Sequence, residues 1–312
     1  MSTRNQTILV LGATGRQGGA AARALFARGF AVKALTRDPD KPAAQALMTL
    51  GVSVVKGDID EPRLLLEAMH GVDGVFSVQT PYGPGGVNHE TRAGIAVAEA
   101  AKAAGVAHLV YSSVGGAERG TGIPHFESKY LVEQHIRRAG LHATIIRPVF
   151  FMENFAQTGP KEVRGELVLR IALSPETRLQ MIAVHDIGVF AALAFEGREG
   201  IAGRTLEIAG DELSMTELAQ TFAAAGRPVR LQRQPFAELE ARNAETAKMF
   251  GWFEAGGYKA DLAALRRLSP DLGVLAARLR GGSTRGGSGG GRARGAGRGG
   301  RRWHSATVRE VD

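Results

Sequence analysis

Residues 7–19 read Thr7-Ile8-Leu9-Val10-Leu11-Gly12-Ala13-Thr14-Gly15-Arg16-Gln17-Gly18-Gly19, an apolar run that ends in a glycine-rich turn. An alanine-rich stretch of helical character follows at 20–27, and then a second apolar run, Ala31-Val32-Lys33-Ala34-Leu35. Strand, glycine turn, helix and strand in that order open a βαβ unit, which commits the chain to a parallel sheet covered by helices. The glycine spacing has a physical reading. Gly12 allows the sharp exit from the strand, Gly15 lets the backbone approach a pyrophosphate, and Gly18 lets the helix pack tightly on the strand. Free amides and the positive end of the helix dipole then face the phosphates. The surrounding elements favour a dinucleotide site over a plain strand–turn–helix.

The same alternation continues through the first half. Strand-like apolar runs occur at 8–11, 31–35, 53–56, 74–78, 108–112 and 143–146, with helical stretches at 18–28, 43–50, 62–70, 88–104 and 128–139 between them. Gly29, Gly51, Gly71, Gly105 and Gly140 each stand just after a helix, where a left-handed cap is wanted. The expected fold is therefore α/β, a Rossmann-like doubly wound parallel sheet with its ligand at the carboxyl ends of the strands. After Pro148 the regularity falls. Strands are expected at 166–171, 178–182 and 205–209, a helix at 186–195 capped by Asp186, and another at 214–225 opened by a Ser214–Glu217 capping box. Residues 1–150 are expected to form the NAD(P)-binding Rossmann domain. Residues 151–280 form a smaller α/β lobe that closes the cleft and from which segments can return to the sheet.

Composition removes several function classes. The chain has no cysteine, which excludes disulfides, thiolate catalysis and cysteine metal sites, and fits a reducing compartment. Its start, Met1-Ser2-Thr3-Arg4-Asn5-Gln6, is polar, and no long apolar segment follows, so no membrane partner and a cytoplasmic location are expected. The formal net charge of +8 suggests nucleic acid until its distribution is considered. From Gly281 on there are seven arginines against Glu310 and Asp312, so +5 of that charge lies in residues 281–312 and the body is only mildly basic. This Gly/Arg segment is expected to be disordered. Arg285-Gly286-Gly287 and Arg298-Gly299-Gly300 could hold RNA weakly, but an inert tail or a frameshift product is favoured, since no aromatic residue interleaves the arginines before Trp303.

Together, the glycine turn, Thr36-Arg37-Asp38-Pro39-Asp40-Lys41, Gly57-Asp58, His125-Phe126-Glu127-Ser128-Lys129 and Arg147-Pro148-Val149-Phe150-Phe151-Met152-Glu153-Asn154 resemble the NmrA-like family, atypical short-chain dehydrogenase relatives of the extended type. The resemblance spans residues 6–280 and includes Lys248-Met249-Phe250 and Tyr258-Lys259-Ala260-Asp261; the Gly/Arg tail departs from it. It implies NADP(H) bound on a Rossmann domain beside a smaller lobe. Some members look like redox sensors or transcriptional co-regulators, others like NAD(P)H-dependent quinone or azo reductases. A regulatory protein, a small quinone and a second copy of the chain in a homodimer are the partners left open.

Cofactor preference is legible at the second strand. NAD-preferring sites place an acidic residue there, whereas this strand ends at Thr36-Arg37. Arg37 can grip a 2′-phosphate and stack on adenine, and Lys41 adds a second cation, so NADP(H) is expected ahead of NAD(H). The bland alternative is two solvated cations, and Asp38 could still accept from a ribose hydroxyl. Asp58 is read as a ligand of the adenine amino group with Ile59 against the ring, or as an Asx turn before Pro62. Gln79, Thr80 and Pro81 follow the fourth strand, where the chain passes the nicotinamide ribose.

Short-chain dehydrogenases pair a tyrosine with a lysine four residues later; the lysine lowers the phenol pKa and holds the ribose. Here Lys129 stands in the right helix, but four residues before it stands His125. Lys129 is expected to reach the ribose. His125 is either a proton donor or an inert histidine at the cleft rim. Ser112 and Ser113 mark the fifth strand end. A quinone is a strong hydride acceptor, so the missing tyrosine argues against an alcohol dehydrogenase more than against a quinone reductase. Phe150, Phe151 and Phe155 are expected to wall the cleft near the nicotinamide, with Asn154 beside the cofactor; core packing is the alternative for at least one of the three rings. No metal is expected, because His185-Asp186 has no third ligand at useful spacing.

Overall fold

β1 (Thr7–Val10) is apolar after its first residue because both of its faces are covered. Ile8 and Val10 enter one core cluster, whereas Leu9 and, just beyond the strand, Leu11 enter another. Such a strand belongs inside a parallel sheet with helices on both sides. The computed structural model of the chain, which describes residues 6–281, has that architecture. The first half continues α1 (Arg16–Ala27), β2 (Ala31–Thr36), α2 (Pro42–Leu50), β3 (Ser53–Lys56), α3 (Pro62–Met69), β4 (Gly74–Ser77), α4 (Gly86–Ala103), β5 (His108–Ser112), α5 (Pro124–Arg138) and β6 (Ala143–Pro148). The second half runs β7 (Phe150–Phe151), α6 (Phe155–Thr158), β8 (Lys161–Val163), β9 (Glu166–Ile171), β10 (Arg178–Ile182), α7 (Val184–Phe195), β11 (Thr205–Ile208) and β12 (Asp211–Ser214). It ends with α8 (Met215–Ala224), β13 (Val229–Arg233), α9 (Phe236–Arg242), α10 (Ala244–Glu254), α11 (Leu262–Leu268) and α12 (Leu275–Gly281).

Seven strands form one parallel sheet in the order β11-β6-β5-β4-β1-β2-β3. The order reverses between β1 and β4, which makes the carboxyl ends of these two strands the switch point where sheets of this kind take their ligands. The chain is thus the expected Rossmann-like doubly wound fold. Leu65, Val97, Val132 and Ile136 from α3, α4 and α5 cover one face; Ala21, Leu25, Ile187 and Phe190 from α1 and α7 cover the other. Both α7 and β11 come back from the second half. β11 pairs with β6, Thr205 beside Ile145 through Ile208 beside Pro148. α7 lies so close to α1 that a Cβ on Gly188 would stand 2.4 Å from the Ala20 carbonyl oxygen. Two small sheets, β12-β10-β7 and β13-β9-β8, build a second body around Met152, Phe155, Leu169, Met181, Leu218 and Phe253.

Local signals account for most boundaries. All five glycines expected after helices have positive φ. The Ser214 hydroxyl accepts the Glu217 amide at 3.1 Å while the Glu217 carboxylate accepts the Ser214 amide at 2.7 Å, the reciprocal box read from the sequence. α5 starts at Pro124, four residues before the expected 128, because proline fits the first helical position. Asp186 does not cap α7. That helix begins at Val184 with Ala183 as N-cap, and Asp186 sits in its first turn, where its Oδ2 accepts the Gly273 amide at 2.8 Å. Among the described residues no helix is long and apolar enough to cross a membrane. The expectations for Met1–Asn5 and for the Gly/Arg tail lie outside the described residues.

Candidate functional site

The glycine turn sits at the switch point of the sheet. Gly12 has φ 62°, and a Cβ there would stand 3.1 Å from Val78 Cγ1, so the loops after β1 and β4 touch. The Gly15 amide donates to the Gly12 carbonyl at 2.9 Å, and Gly15 then serves as the N-cap of α1 without any side-chain cap hydrogen bond. No acidic residue occupies the first turn of α1, so nothing there repels an anion. A Cβ on Gly18 would lie 2.2 Å from the Gly12 oxygen and 2.7 Å from the Leu11 oxygen, which makes glycine a requirement of the helix–strand approach. Ala13 is buried and Thr14 half-buried beneath the turn. The next two side chains tie it to its surroundings: Ser112 Oγ donates to Gln17 Oε1 at 2.7 Å, and Arg16 Nη1 donates to Asn154 Oδ1 at 3.3 Å.

Phe151 is half-buried on β7, paired with Ile182 of β10 and packed against the α1–α7 core. Phe150 and Phe155 depart from the cleft wall expected of them. Their rings lie 5.4 Å apart, and they pack edge to face on Phe253 and Phe222, a cluster of four aromatic rings in the core of the second body, which is the core-packing alternative the sequence left open.

At the end of β2, Arg37 is exposed and Lys41 is the N-cap of α2. Neither makes an ion pair among the described residues. Asp38 is turned into its own loop: its Oδ1 accepts the Asp40 amide at 3.0 Å, and its backbone bonds Thr36 Oγ1 on both sides. Asp58 likewise forms an Asx turn, its Oδ1 accepting the Asp60 amide at 3.1 Å. Ile59 beside it is half-buried against the core under α3.

A buried polar cluster lies at the ends of β4 and β5. Gln79 is buried, its Nε2 donating to Ser77 Oγ at 3.0 Å; Thr80 is exposed, and Pro81 is half-buried. Lys129 Nζ donates to the Gln79 carbonyl at 3.2 Å and stands 2.9 Å from Glu90 Oε1. Glu90 is 0 % exposed, and its other oxygen accepts the Ser128 hydroxyl. The lysine ammonium also lies 6.0 Å over the Tyr111 ring. Gln79 Oε1, Glu90 Oε1, Tyr111 Oη and Ser113 Oγ are buried without a hydrogen-bond partner among the described residues, which is uncommon in a folded interior. Burial, with the carboxylates of Glu90 and Glu133 behind it, pushes the Tyr111 phenol far above its ordinary range.

His125 lies in the first turn of α5 with its Nδ1 2.5 Å from Glu245 Oε1 of α10. Its ring centroid is 6.4 Å from that of Tyr82, a side chain that is 85 % exposed. Glu90 and Glu245 were both missed in the sequence. Glu90 left a trace: it shares the buried stripe of α4 with Ala93, Gly94 and Val97, a charge at an apolar position of a helical repeat. Glu245 left none, because it meets His125 across 120 positions of chain. His185 is exposed, 3.0 Å from Asp186 Oδ1, and no group of three histidines or carboxylates that could hold a metal occurs among the described residues.

A model of the NmrA-like family matches residues 4–280. An NAD(P)H azoreductase of Xenophilus azovorans is 36% identical over 228 residues, covering 72% of this chain and 75% of that protein. An NmrA-like family domain-containing oxidoreductase, FrzB of a Cladobotryum species, is 39% identical over 160 residues; the match covers 47% of each chain, less than half the length of that relative. Among solved structures, the negative transcriptional regulator NmrA, in complex with NADP, superposes with a TM-score of 0.75 at 21% identity over 89% of this chain and 95% of that one. The same regulator has been solved with NAD. At that identity the likeness is one of fold.

Proposed function

The chain belongs to the NmrA-like family, and from that premise we propose that it binds NADP(H) and responds to the redox form of the dinucleotide. The residues present fit such a group. Gly12 and Gly18 hold α1 tightly against the end of β1, with the Gly15 N-cap left free of side-chain bonds, and buried Gln79 Oε1 and Ser113 Oγ await a polar partner. Gly12, Ala13, Thr14, Gly15, Arg16, Gln17 and Gly18 would hold the pyrophosphate, with Asp58 and Ile59 at the adenine. Arg37 and Lys41, free of carboxylate partners among the described residues, would hold the 2′-phosphate. Gln79, Thr80, Pro81, Lys129, Phe151 and Asn154 would surround the nicotinamide end. When bound, the dinucleotide supplies or takes up a hydride.

The observation that favours a sensor is the state of Lys129. Its ammonium is already held by Glu90 and the Gln79 carbonyl, and no phenol stands four residues before it. It can hold a ribose hydroxyl, but it has no tyrosine to activate for carbonyl reduction. A sensor then requires only that the two redox forms bind with different affinity or in different conformations.

The second reading is an NAD(P)H-dependent reductase of quinone-like or azo acceptors, favoured by the His125–Glu245 pair and by the likeness to an azoreductase. Here Glu245 fixes the imidazole, and His125 hands a proton to the acceptor beside Tyr82. Two measurements test these readings. Arg37→Ala should weaken NADPH about tenfold while leaving NADH unchanged; equal loss for both would remove the 2′-phosphate role. Rapid mixing of the NADPH-loaded protein with menadione or an azo dye separates the readings, because loss of nicotinamide absorbance abolished in Lys129→Met supports the reductase.

A further inference from the structure

We propose that Glu90 sets how the chain discriminates between the oxidised and reduced dinucleotide, by cancelling the charge of Lys129. The inference rests on the reading that a nicotinamide dinucleotide lies at the ends of β4 and β5. A carboxylate with no solvent exposure is unfavourable unless it is paired and hydrogen-bonded. Glu90 has both: Lys129 Nζ at 2.9 Å from one oxygen, and the Ser128 hydroxyl on the other. Ser128 Oγ is also 3.2 Å from the His125 carbonyl, so the carboxylate is anchored to α5 one residue before the lysine it neutralises. Lys129 in turn is only 8 % exposed at its side chain. The Gln79 carbonyl takes one of its three N–H donors, and Glu90 Oε1 lies at ion-pair distance without a hydrogen bond, so an N–H remains for a ligand hydroxyl.

The consequence is electrostatic. The nicotinamide ring is positively charged when oxidised and neutral when reduced. A lone buried ammonium beside it would oppose the oxidised form, and little water is present to screen the repulsion. The Lys129–Glu90 pair carries no net charge and removes that bias, while keeping the N–H that holds the ribose. Of the other pairs carried by α5, His125–Glu245 is 41 % open to solvent at Glu245 and is screened accordingly, and buried Arg147–Glu133 carries no net charge. Glu90 is therefore a positioning residue whose charge tunes the response.

Calorimetric titration of NADP⁺ and NADPH into wild type, Glu90→Gln and Lys129→Met/Glu90→Gln tests this. Glutamine keeps the shape of the side chain and an acceptor for Ser128. Glu90→Gln should weaken NADP⁺ about tenfold more than NADPH, and the double variant, again without net charge, should return the ratio to that of wild type. A purely structural role would weaken both forms equally, and that result overturns the proposal. Should Glu90→Gln not fold, Lys129→Met carries the test: its lone carboxylate should move the ratio toward NADP⁺, and an unmoved ratio overturns the proposal. Wild type that binds neither form removes the dinucleotide reading itself, a different failure from an unmoved ratio in proteins that do bind.

Discussion

A single methyl group at position 18 would stand 2.2 Å from the Gly12 carbonyl oxygen, and because both partners are backbone neither can yield cheaply. Gly18→Ala should therefore lower stability by about 1–3 kcal/mol and weaken NADPH binding together, as seen by urea denaturation and calorimetry. His108 offers an independent handle at the opposite end of the sheet. Burial, and secondarily the neighbouring His142, lowers its pKa from 6.5 to about 4, while its Nε2 lies 2.8 Å from Thr144 Oγ1. The folded state then resists protonation that the unfolded chain accepts. Stability is full above pH 6.5 and falls progressively as pH drops toward about 4, by at most ~3 kcal/mol. His108→Gln should flatten that slope in denaturation midpoints measured across the window; an unchanged slope would place the acid sensitivity elsewhere. At this scale the glycines of the turn were legible because their reasons are local. The partners of Lys129 and His125 were not, because Glu90 and Glu245 reach them only through the packing of α4 on α5 and of α10 on the rim.

Among elements, the crossing of α1 and α7 is the tightest helix contact. It depends on the small residues Ala20 and Ala21 facing Gly188, whose added Cβ would meet the Ala20 oxygen at 2.4 Å. Gly188→Ala should lower the thermal midpoint, with a loss of about 1–3 kcal/mol. A midpoint equal to that of wild type would mean that the helices separate freely. The sequence shows why the central strands could be placed in advance: buried on both faces, they are short unbroken apolar runs between glycine-capped helices. β7, β12 and β13 escaped because they are short, partly exposed and paired over long separations, and β8, a three-residue hairpin arm against β9, because all its residues are exposed, so their side chains carry no clear period. The start of α5 was missed although Pro124 marked it, and the consequence matters, because the earlier start puts His125 and Lys129 on one helical face.

For the whole molecule, the second body is fastened to the loop that follows β5. Tyr258 and Trp252 press on Gly115 and Gly116, where a Cβ would meet their rings at 2.7 and 2.6 Å. Arg119 donates to the Gly257 carbonyl at 2.9 Å and pairs with Glu207, which in turn accepts the Lys259 amide at 2.7 Å. The loop bearing Ser112 and Ser113 thus feels the position of residues 252–260. Arg119→Ala should loosen that segment, raising amide exchange across 252–260 by an amount equivalent to about 1–3 kcal/mol, while the seven-stranded sheet keeps its protection. Uniform exchange in both regions would show that the clamp is not there. The most direct measurement is calorimetric titration of the wild-type chain with NADPH, NADP⁺, NADH and NAD⁺. Binding of the 2′-phosphorylated pair ahead of the other two, with unequal affinities for its two redox forms, is the expected result. Failure to bind any of the four would contradict the account at its centre.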